Sequence, residues 1–528
     1  MAIERIRIRS RPNVLGTLVG GLACLAFRST AGTPTPDCPA AAQPVELVSP
    51  TVLGNGTPGS VTTAQIQAAL NAGGHVTFDV GASPVTIALT AELVVSRETV
   101  IDGGGLVTLS GGGARRVLLV TNPSNLFYTL TLQNLGIADG ATPSGSGAGV
   151  YKPSGGPWQA VSLVVVQCQF LDNVAIGVEQ DGGGGAIYAV GMDEVIVQDS
   201  YFEGNRGSNG GAIYSLGSKT VTLVDSAFVD NRATGDGGNP GNGGNGGAVG
   251  VDGAERTVSF CGVDLADNRA NGFGAGFFSV MYDTASSTTF NACLFDHNFN
   301  PTSSEFAGGA YIQGGPFGIY NTTFAFNEAE GIGAVFLGPG ATGEIVNSTF
   351  HGNLARTGLA GALFISTDEA VDITHTTIEG NLATGAGGFA AGIQVSAVNA
   401  VTMKNSLLVD NVGGNLFNPW NIRNLVGDGG GNLQWPMTRP NGMAEQPATA
   451  TVVWADPLLG SLGDYGGPTP TMRLTAGSPA LDAGVAGGAP ATDQRGVARV
   501  PPPDAGAFEG LGGEIFADGF ESGDTSAW

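Results

Sequence analysis

Three arginines each follow an asparagine in closely related short motifs, and their spacing would let them act together on one ligand. The motifs "EGNR", "VDNR" and "ADNR" end at Arg206, Arg232 and Arg269. A guanidinium group can bind a carboxylate or a similar anion through two parallel hydrogen bonds. If the chain stacks these motifs on consecutive turns, the three side chains form a stripe that could hold the carboxylates of an acidic polysaccharide.

Acidic residues stand beside these arginines and leave a second interpretation open. Asp230 and Asp267 precede the asparagine of the second and third motifs, so stacking would also bring these two carboxylates together. An exposed lattice of mutual ion pairs would contribute little stability and would recognise nothing. The candidate ligand-binding residues are Arg206, Arg232, Arg269, Asp230 and Asp267.

The asparagines of these motifs belong to a longer repeat. An asparagine recurs every 26–37 residues, with a large apolar residue three positions before it and a small residue, or Val263 once, five positions before it. A third apolar position lies eight residues before each asparagine. The repeated asparagines are Asn173, Asn205, Asn231, Asn268, Asn298, Asn327, Asn353, Asn381 and Asn411.

This repeat predicts a solenoid. Each unit contains two short stretches with alternating apolar residues, then a glycine-rich turn and a third apolar piece such as "GGAIY" at Gly184 and Gly210. Turns stacked about 4.8 Å apart would place phenylalanine on phenylalanine in the interior and asparagine on asparagine in a hydrogen-bonded ladder. Asparagine also tolerates the left-handed backbone that a sharp corner needs. The pattern therefore predicts an all-β, single-stranded parallel β-helix of about twelve coils.

The two ends of such a helix need caps. "TTAQIQAALNAGG" at Thr62–Gly74 has the spacing of a short capping helix, with Ile66, Ala69 and Leu70 on one face. The regular repeat ends after Phe417, and the Pro-, Gly- and Asn-rich residues that follow predict an irregular C-terminal cap. The predicted division is a signal peptide at 1–31, an N-terminal segment with the capping helix at 32–75, the parallel β-helix at 76–417, the C-terminal cap at 418–510 and an acidic tail at 511–528.

Charge and the N-terminus indicate export. The net charge of −24 disfavours nucleic acid as a partner, because such a surface repels phosphates. Arginines precede an apolar stretch, Val14–Phe27, that is too short to span a bilayer, and small residues follow at Ser29–Gly32. Cleavage near Ala31 is the favoured interpretation, with lipid attachment at Cys24 and an uncleaved N-terminal anchor as the alternatives. No transmembrane segment is predicted in the mature chain.

The cysteines carry no redox or metal motif. Five are present, and none of the four beyond Cys24 forms a Cys-x-x-Cys pair. Cys168 and Cys293 occupy the same small interior position of the repeat, several coils apart and too far for a disulfide. We therefore expect both to be small buried residues.

The C-terminal region resembles a known module. "DPLLGSLGDYGGPTPTMRLTAGSPALDAG" from Asp456, "TDQRGVAR" and "DAGAFE" up to Glu509 are similar to the choice-of-anchor Q module of bacterial surface β-helix proteins. The upstream coils resemble the pectin-lyase-like superfamily, and "IFADGFESGDTSAW" is similar to a terminus found on secreted proteins of Gram-negative bacteria. The resemblance implies a right-handed helix and a secreted or outer-surface location, and it names no reaction.

Two classes of function remain open. Polysaccharide lyases and hydrolases of this superfamily need grouped acids with a basic residue or a histidine, and the sequence has no "NTD", "GHG" or "RIK". The four histidines, His75, His297, His351 and His375, are explained as turn residues rather than general bases, with His297, His351 and His375 expected to be exposed. The favoured function is non-catalytic adhesion or glycan binding by a monomer, without a metal or cofactor. The alternative is a lyase or hydrolase acting on an acidic polysaccharide, for which calcium is possible.

Overall fold

The structure, a computed structural model, describes residues 38–510 apart from 143–144, 156–157, 238–240, 255 and 303–305. The predicted signal peptide, Cys24 and the acidic tail lie outside the described residues. The chain forms two compact units, the described parts of Met1–Thr288 with His297–Tyr311 (unit 1) and of Thr289–Asp296 with Ile312–Trp528 (unit 2).

The predicted fold class is confirmed. The protein is an all-β, right-handed parallel β-helix of about 13 turns, against about twelve expected, and it contains almost no helix. A typical turn has three faces. Face A carries two strands separated by a bend, face C is the short strand that follows the corner asparagine, and face B is the apolar strand that follows the glycine-rich turn.

In unit 1 the strands of all three faces pair in parallel from turn to turn. Face A contains Thr51–Gly54, Gly74–Asp79, Val85–Ala88, Thr99–Ser110, Tyr128–Ala138, Val161–Val166, Gln169–Leu171, Glu194–Gln198, Tyr201–Glu203, Thr220–Val224, Ala227–Val229, Thr257–Cys261 and Asp264–Ala266. Face B contains Leu93–Val95, Leu118–Val120, Val150–Lys152, Ile187–Val190, Ile213–Leu216, Val249–Gly253 and Phe277–Met281. Face C contains Ala141–Thr142, Val174–Ala175, Arg206–Gly207, Arg232–Ala233 and Arg269–Ala270.

Unit 2 has the same three faces. Face A contains Leu294–Asp296, Gly315–Tyr320, Thr323–Ala325, Ala341–Val346, Thr349–His351, Val371–Thr374, Thr377–Glu379, Val401–Lys404, Leu407–Val409, Gly427–Asp428, Leu433–Trp435 and Val453–Trp454. Face B contains Val335–Leu337, Leu363–Ile365 and Ile393–Val395, and face C contains Glu328–Ala329, Leu354–Ala355, Leu382–Ala383 and Val412–Gly413. The remaining elements are the strands Ser287–Asn291 and Ala310–Gln313, which run from one unit into the other, an antiparallel pair, Leu459–Gly463 with Thr471–Leu474, and a 3-10 turn at Val398–Ala400.

Phenylalanines stack through the interior as the repeat predicts. In unit 1 the ring of Phe202 lies 4.7 Å from that of Phe170 and 4.6 Å from that of Phe228, nearly parallel to both. In unit 2 the rings of Phe324 and Phe350 stack at 5.0 Å. These side chains are fully buried. Each coil therefore buries apolar area only by contact with its neighbours.

The corner asparagines form hydrogen-bonded ladders inside each unit. Asn231 Oδ1 accepts from both the backbone N–H and the Nδ2 of Asn205, at 3.1 and 2.9 Å. Asn231 Nδ2 donates to the carbonyl of Phe202 at 3.1 Å. The same pattern recurs around Asn353 in unit 2, and the last rung there is Asn421.

The structure corrects one detail of the predicted corner. None of the nine asparagines has a positive φ, and all nine are buried. The residue just before each one takes the left-handed conformation instead, with φ between 48° and 67°. These residues are Asp172, Gly204, Asp230, Asp267, His297, Phe326, Gly352, Gly380 and Asp410.

The predicted capping helix is present at Thr63–Ala72. Thr62 caps it, since its side chain accepts from the Gln65 N–H while the Gln65 side chain accepts from the Thr62 N–H. The helix ends at Gly73, which has φ 75°. Ile66, Ala69 and Leu70 are buried, as their spacing predicts.

A segment ahead of the first strand, which we call the N-terminal strap (residues 38–50), runs along face A of unit 1. It is anchored by a disulfide between Cys38 and Cys261, which are 223 residues apart and which no sequence pattern pairs. Three backbone N–H groups of the strap also donate to side chains of unit 1 at 2.7–3.0 Å. The acceptors are Gln198, Gln133 and His75. Cys168 and Cys293 are not disulfide-bonded and are buried, as expected.

The C-terminal region does more than close the last turn. Residues 469–507 also run along face A of unit 2. There they contact outward-facing threonines on three consecutive turns. Gln494 Nε2 donates to Thr323 Oγ1 at 2.7 Å, and Thr349 Oγ1 donates to Gln494 Oε1 at 2.6 Å. The Ala507 N–H donates to Thr377 Oγ1 at 3.1 Å. We call residues 456–510 the C-terminal clamp.

Candidate functional site: a basic stripe on face C of unit 1

The structure brings the three arginines into register on face C of unit 1. Arg206 pairs with Arg232, and Arg232 pairs with Arg269, in neighbouring parallel strands. Neighbouring strands lie about 4.8 Å apart, so one guanidinium-bearing residue is presented per turn. Each arginine directly follows a buried ladder asparagine. The ladder therefore fixes the positions from which these side chains extend.

The three side chains have different surroundings. Arg206 is exposed. Arg232 makes an ion pair with Asp230 at 2.9 Å, in which both side chains remain partly exposed. The Arg269 guanidinium lies 5.0 Å from the centre of the Phe299 ring. An exposed ion pair of this kind stabilises a protein little, so an incoming carboxylate can compete with Asp230 for Arg232.

The acidic residues of the stripe occupy the left-handed corner positions. Asp230 and Asp267 have φ of 49° and 57°, so their backbone carries the bend. Asp172 lies in the same column beside Arg206, and burial, followed by the nearby Asp139, raises its pKa while Arg206 opposes that rise. The backbone of these corner residues thus has a structural role, and the Asp230 carboxylate in addition pairs with Arg232.

Face C of unit 2 has a different character. The residues that correspond to the arginines are Glu328, Leu354, Leu382 and Val412, paired in register. The nearby Arg356 bonds Glu328 and Glu330 at 2.6 and 2.7 Å. The repeat is thus regular in its interior columns, while its surface chemistry changes along the chain.

None of the four histidines is an exposed turn residue: His75 lies half-buried in the strand Gly74–Asp79, and His297 is half-buried at its corner. His375 is fully buried on face A of unit 2, and burial, with Arg499 next, lowers its pKa to about 3. Its Nε2 lies 2.8 Å from Asn405 Nδ2. His351 is half-buried and its Nδ1 contacts Glu379 Oε2 on the next turn.

The His351–Glu379 pair was not predicted from the sequence, although the positions of the two residues in the repeat indicate it. Both residues lie two positions before a ladder asparagine, and the structure pairs them in register. The edge of the Phe326 ring faces the His351 imidazole at 5.1 Å. A carboxylate that holds one ring nitrogen orients the other, which is the usual arrangement of a histidine that transfers protons.

The described residues contain neither a cluster of metal ligands nor a helix that could cross a membrane. Across residues 38–510, outside the gaps given above, no group of three or more His, Cys, Asp or Glu side chains is placed to hold a metal ion. Within the same residues, none of the helices has the length and apolar character needed to cross a bilayer.

The described residues thus define a right-handed parallel β-helix with a basic stripe on one face of unit 1. No protein-family model and no curated protein sequence matches the chain. Solved structures with some similarity include the pectate lyase Pel9A, with 13% identity, a TM-score of 0.34 and coverage of 84% of this chain and 90% of that one.

Two further similar structures belong to proteins with different activities. PfbA, a surface adhesin of Streptococcus pneumoniae, has 11% identity and a TM-score of 0.28 over 70% of this chain and 90% of that one. The A-module of the Azotobacter vinelandii mannuronan C-5 epimerase AlgE6 has 14% identity and a TM-score of 0.30 over 73% of this chain and 97% of that one. Similarity at this level leaves the function of this chain to be inferred from its own residues.

Proposed function

We propose that this protein is a secreted or cell-surface β-helix protein that binds an acidic polysaccharide on face C of unit 1 without catalysing a reaction on it. The observation that supports the proposal is the register of Arg206, Arg232 and Arg269 on three consecutive turns. A spacing of about 4.8 Å is comparable to the length of one sugar in an extended chain. A polymer with a repeated carboxylate or sulfate, lying along the helix axis, could therefore contact all three guanidinium groups.

The location outside the cytosol has independent support. The disulfide between Cys38 and Cys261 belongs to an oxidising compartment, because cytosolic thiols are kept reduced. Cleavage near Ala31, attachment to the outer surface of a Gram-negative bacterium through the C-terminal region, and a monomeric state remain parts of this proposal. Adhesion to a glycan-coated surface is the role that these features together suggest.

The binding test uses variants in which one or all three arginines are replaced by glutamine. Purified wild type, Arg206→Gln and the triple variant Arg206→Gln/Arg232→Gln/Arg269→Gln are measured against immobilised alginate, polygalacturonate and dextran sulfate. We expect Arg206→Gln to weaken binding about tenfold, because a hydrogen bond to a charged group is worth about 1.5–3 kcal/mol. The triple variant should not bind detectably, and raised salt should weaken the wild type.

Arg97→Gln is the matched control. Arg97 is exposed in unit 1, and its removal changes the net charge by the same amount as the loss of Arg206. It should leave the affinity unchanged. Equal binding by the wild type and the triple variant, with unchanged thermal unfolding, would place the polysaccharide elsewhere or show that the arginines form only surface ion pairs.

A second candidate function is supported by the His351–Glu379 pair of unit 2. In a polysaccharide lyase, a base removes the C5 proton beside the carboxylate, the C4–O glycosidic bond breaks as the C4=C5 double bond of an unsaturated uronate forms, and the leaving oxygen takes up a proton from water. His351, held by Glu379 at Nδ1, could accept such a proton at Nε2. The test is ultraviolet absorbance of unsaturated uronate from polygalacturonate and alginate, with and without calcium or a chelator. Activity that His351→Ala abolishes would favour the lyase over the non-catalytic binder.

A further inference from the structure

An exposed tryptophan, Trp158, lies at the bend between face B and face A of unit 1. Trp158 is 57% exposed, although tryptophan usually buries most of its ring. Its indole lies on the backbone of two consecutive turns, at Gly191 and Gly217. A Cβ atom on Gly191 would come within 2.5 Å of the ring, and one on Gly217 within 2.2 Å. The ring therefore fits only because both positions lack a side chain.

Backbone conformation alone does not explain these two glycines. Gly191 and Gly217 have φ of 61° and 63°. At the bend of face A, Asp199 and Asp225 adopt φ of 49° and 44° in the same two turns. Left-handed positions in this chain thus accept side chains, and the missing side chains at Gly191 and Gly217 serve the indole.

A backbone hydrogen bond next to Trp158 also holds the indole in place. The N–H of Gln159, the residue after Trp158, donates to the Gly191 carbonyl at 2.7 Å. One face of the indole rests on the two glycines, and the residue as a whole nevertheless remains 57% exposed. A fixed, flat and exposed aromatic ring loses little conformational freedom when a ligand stacks on it.

Polar groups border the indole. Asp193 lies two residues after Gly191, and Lys219 lies two residues after Gly217. Their side chains form an exposed ion pair at 3.4 Å. Tyr282, 65% exposed, leaves the same bend two turns beyond Gly217, about 10 Å along the axis. Its hydroxyl bonds Asp252, so this second ring is also held.

We propose that Trp158 and Tyr282 form a stacking site for neutral sugar rings of a polysaccharide. A pyranose presents a face of C–H groups and an edge of hydroxyls, which matches one aromatic ring bordered by a carboxylate and an ammonium group. A single indole flanked by charges is too small for the apolar centre of a protein interface. The site extends the glycan-binding function proposed above but does not use the arginine stripe.

The test uses cellohexaose, mannohexaose and laminarihexaose as neutral probes, with calorimetry and tryptophan fluorescence as readouts. We expect at least one probe to bind, with an affinity that raised salt leaves unchanged. Trp158→Ala should lower the affinity about five- to thirtyfold, the equivalent of 1–2 kcal/mol. Trp158→Phe should lose less. Tyr282→Ala should weaken the hexasaccharide more than the matching disaccharide, which cannot reach both rings.

Gly217→Ala tests the contact between the indole and the glycine backbone, because this substitution keeps the indole but displaces it. Gly112→Ala is its control: Gly112 has φ 61° and nothing closer than 4.0 Å to an added Cβ, so it carries the same backbone strain without touching the ring. Phe127→Ala, which removes an aromatic ring that is 81% exposed, should change nothing. Absence of binding to all three probes, or equal losses in Trp158→Ala and Phe127→Ala, would overturn the proposal.

The same variants separate the two sites. The triple arginine variant should bind neutral probes like the wild type, and Trp158→Ala should bind acidic polymers like the wild type. Loss of neutral binding in the triple arginine variant would show that Trp158 is not an independent site. Loss of acidic binding alone would leave the Trp158 site standing.

Discussion

At the scale of single residues, the buried ladder amides matter more than their polarity suggests. Asn231 is fully buried, and its side chain satisfies two donors on the previous turn and one carbonyl. Removing the side chain would take one partner from each of these groups, and Asn205 Nδ2 would keep only its bond to the Phe170 carbonyl at 2.9 Å. A buried group left unsatisfied costs about 1–3 kcal/mol.

Asn231→Ala should therefore destabilise unit 1 by about 2–4 kcal/mol, close to the 3–5 kcal/mol expected for Phe228→Ala in the adjacent stack. Denaturant unfolding of both variants measures the comparison. Asn71→Ala, on the exposed face of the capping helix, should have little effect. A cost for Asn231→Ala as small as that for Asn71→Ala would mean that the ladder is not stabilising.

His375 makes stability depend on pH. Its pKa in the folded protein is about 3, mainly because of burial, whereas an unfolded histidine titrates near 6.5. Below pH 6.5 the unfolded state therefore binds the proton and the folded state does not, so stability falls as the pH is lowered from about 6.5 towards 3. The slope from this one group approaches about 1.4 kcal/mol per pH unit.

His375→Asn isolates this contribution, because Asn347 and Asn405 occupy the same left-handed position on neighbouring turns with φ of 48°. The difference in unfolding free energy between wild type and variant should change with pH between about 6.5 and 3 and be constant above that range. A difference that is independent of pH throughout would show that His375 takes up its proton at the same pH in the folded and the unfolded protein.

At the scale of elements, the sequence predicts what repeats and misses what does not. The columns of Phe, small residue and Asn are visible because every turn must solve the same packing problem. The N-terminal strap and the C-terminal clamp each contact several turns once, so no period marks them. Thr323, Thr349 and Thr377 do recur at one outward-facing position of the repeat. Their spacing alone, however, does not show that another segment covers this face.

The disulfide should be what holds the N-terminal strap against unit 1. Besides it, the strap makes four hydrogen bonds through Gln198, Gln133 and His75. Loss of a cross-link across 223 residues costs up to about 5 kcal/mol by loop entropy. In Cys38→Ser, the strap amides should exchange hydrogen with solvent much faster, while the Phe202 turn remains protected.

Hydrogen exchange by mass spectrometry separates this local release from general unfolding. Cys168→Ser serves as the control, because it alters a free buried cysteine in the same unit and leaves the strap attached. Unchanged protection of the strap in Cys38→Ser would show that its hydrogen bonds suffice.

At the scale of the whole molecule, the proposed binding site works against the charge of the chain. The net charge is −24, and only 21 of 528 residues are lysine or arginine. An acidic polymer is therefore repelled at long range and attracted only where it reaches Arg206, Arg232 and Arg269. Salt screens both interactions, but the distant one is screened first because exposed charges beyond about 10 Å stop interacting at 0.1 M.

This opposition predicts an unusual salt dependence for alginate binding. The association rate constant should rise between low and moderate ionic strength as the general repulsion is screened, and the dissociation rate constant should rise at high ionic strength as the guanidinium contacts weaken. Affinity should thus pass through a maximum, measurable by surface plasmon resonance over a salt series. In Arg206→Gln the affinity maximum should be lower, while the early rise in association should persist, because the net charge is almost unchanged. An association rate that falls steadily from the lowest salt would mean that the polymer senses a local positive field larger than three arginines supply.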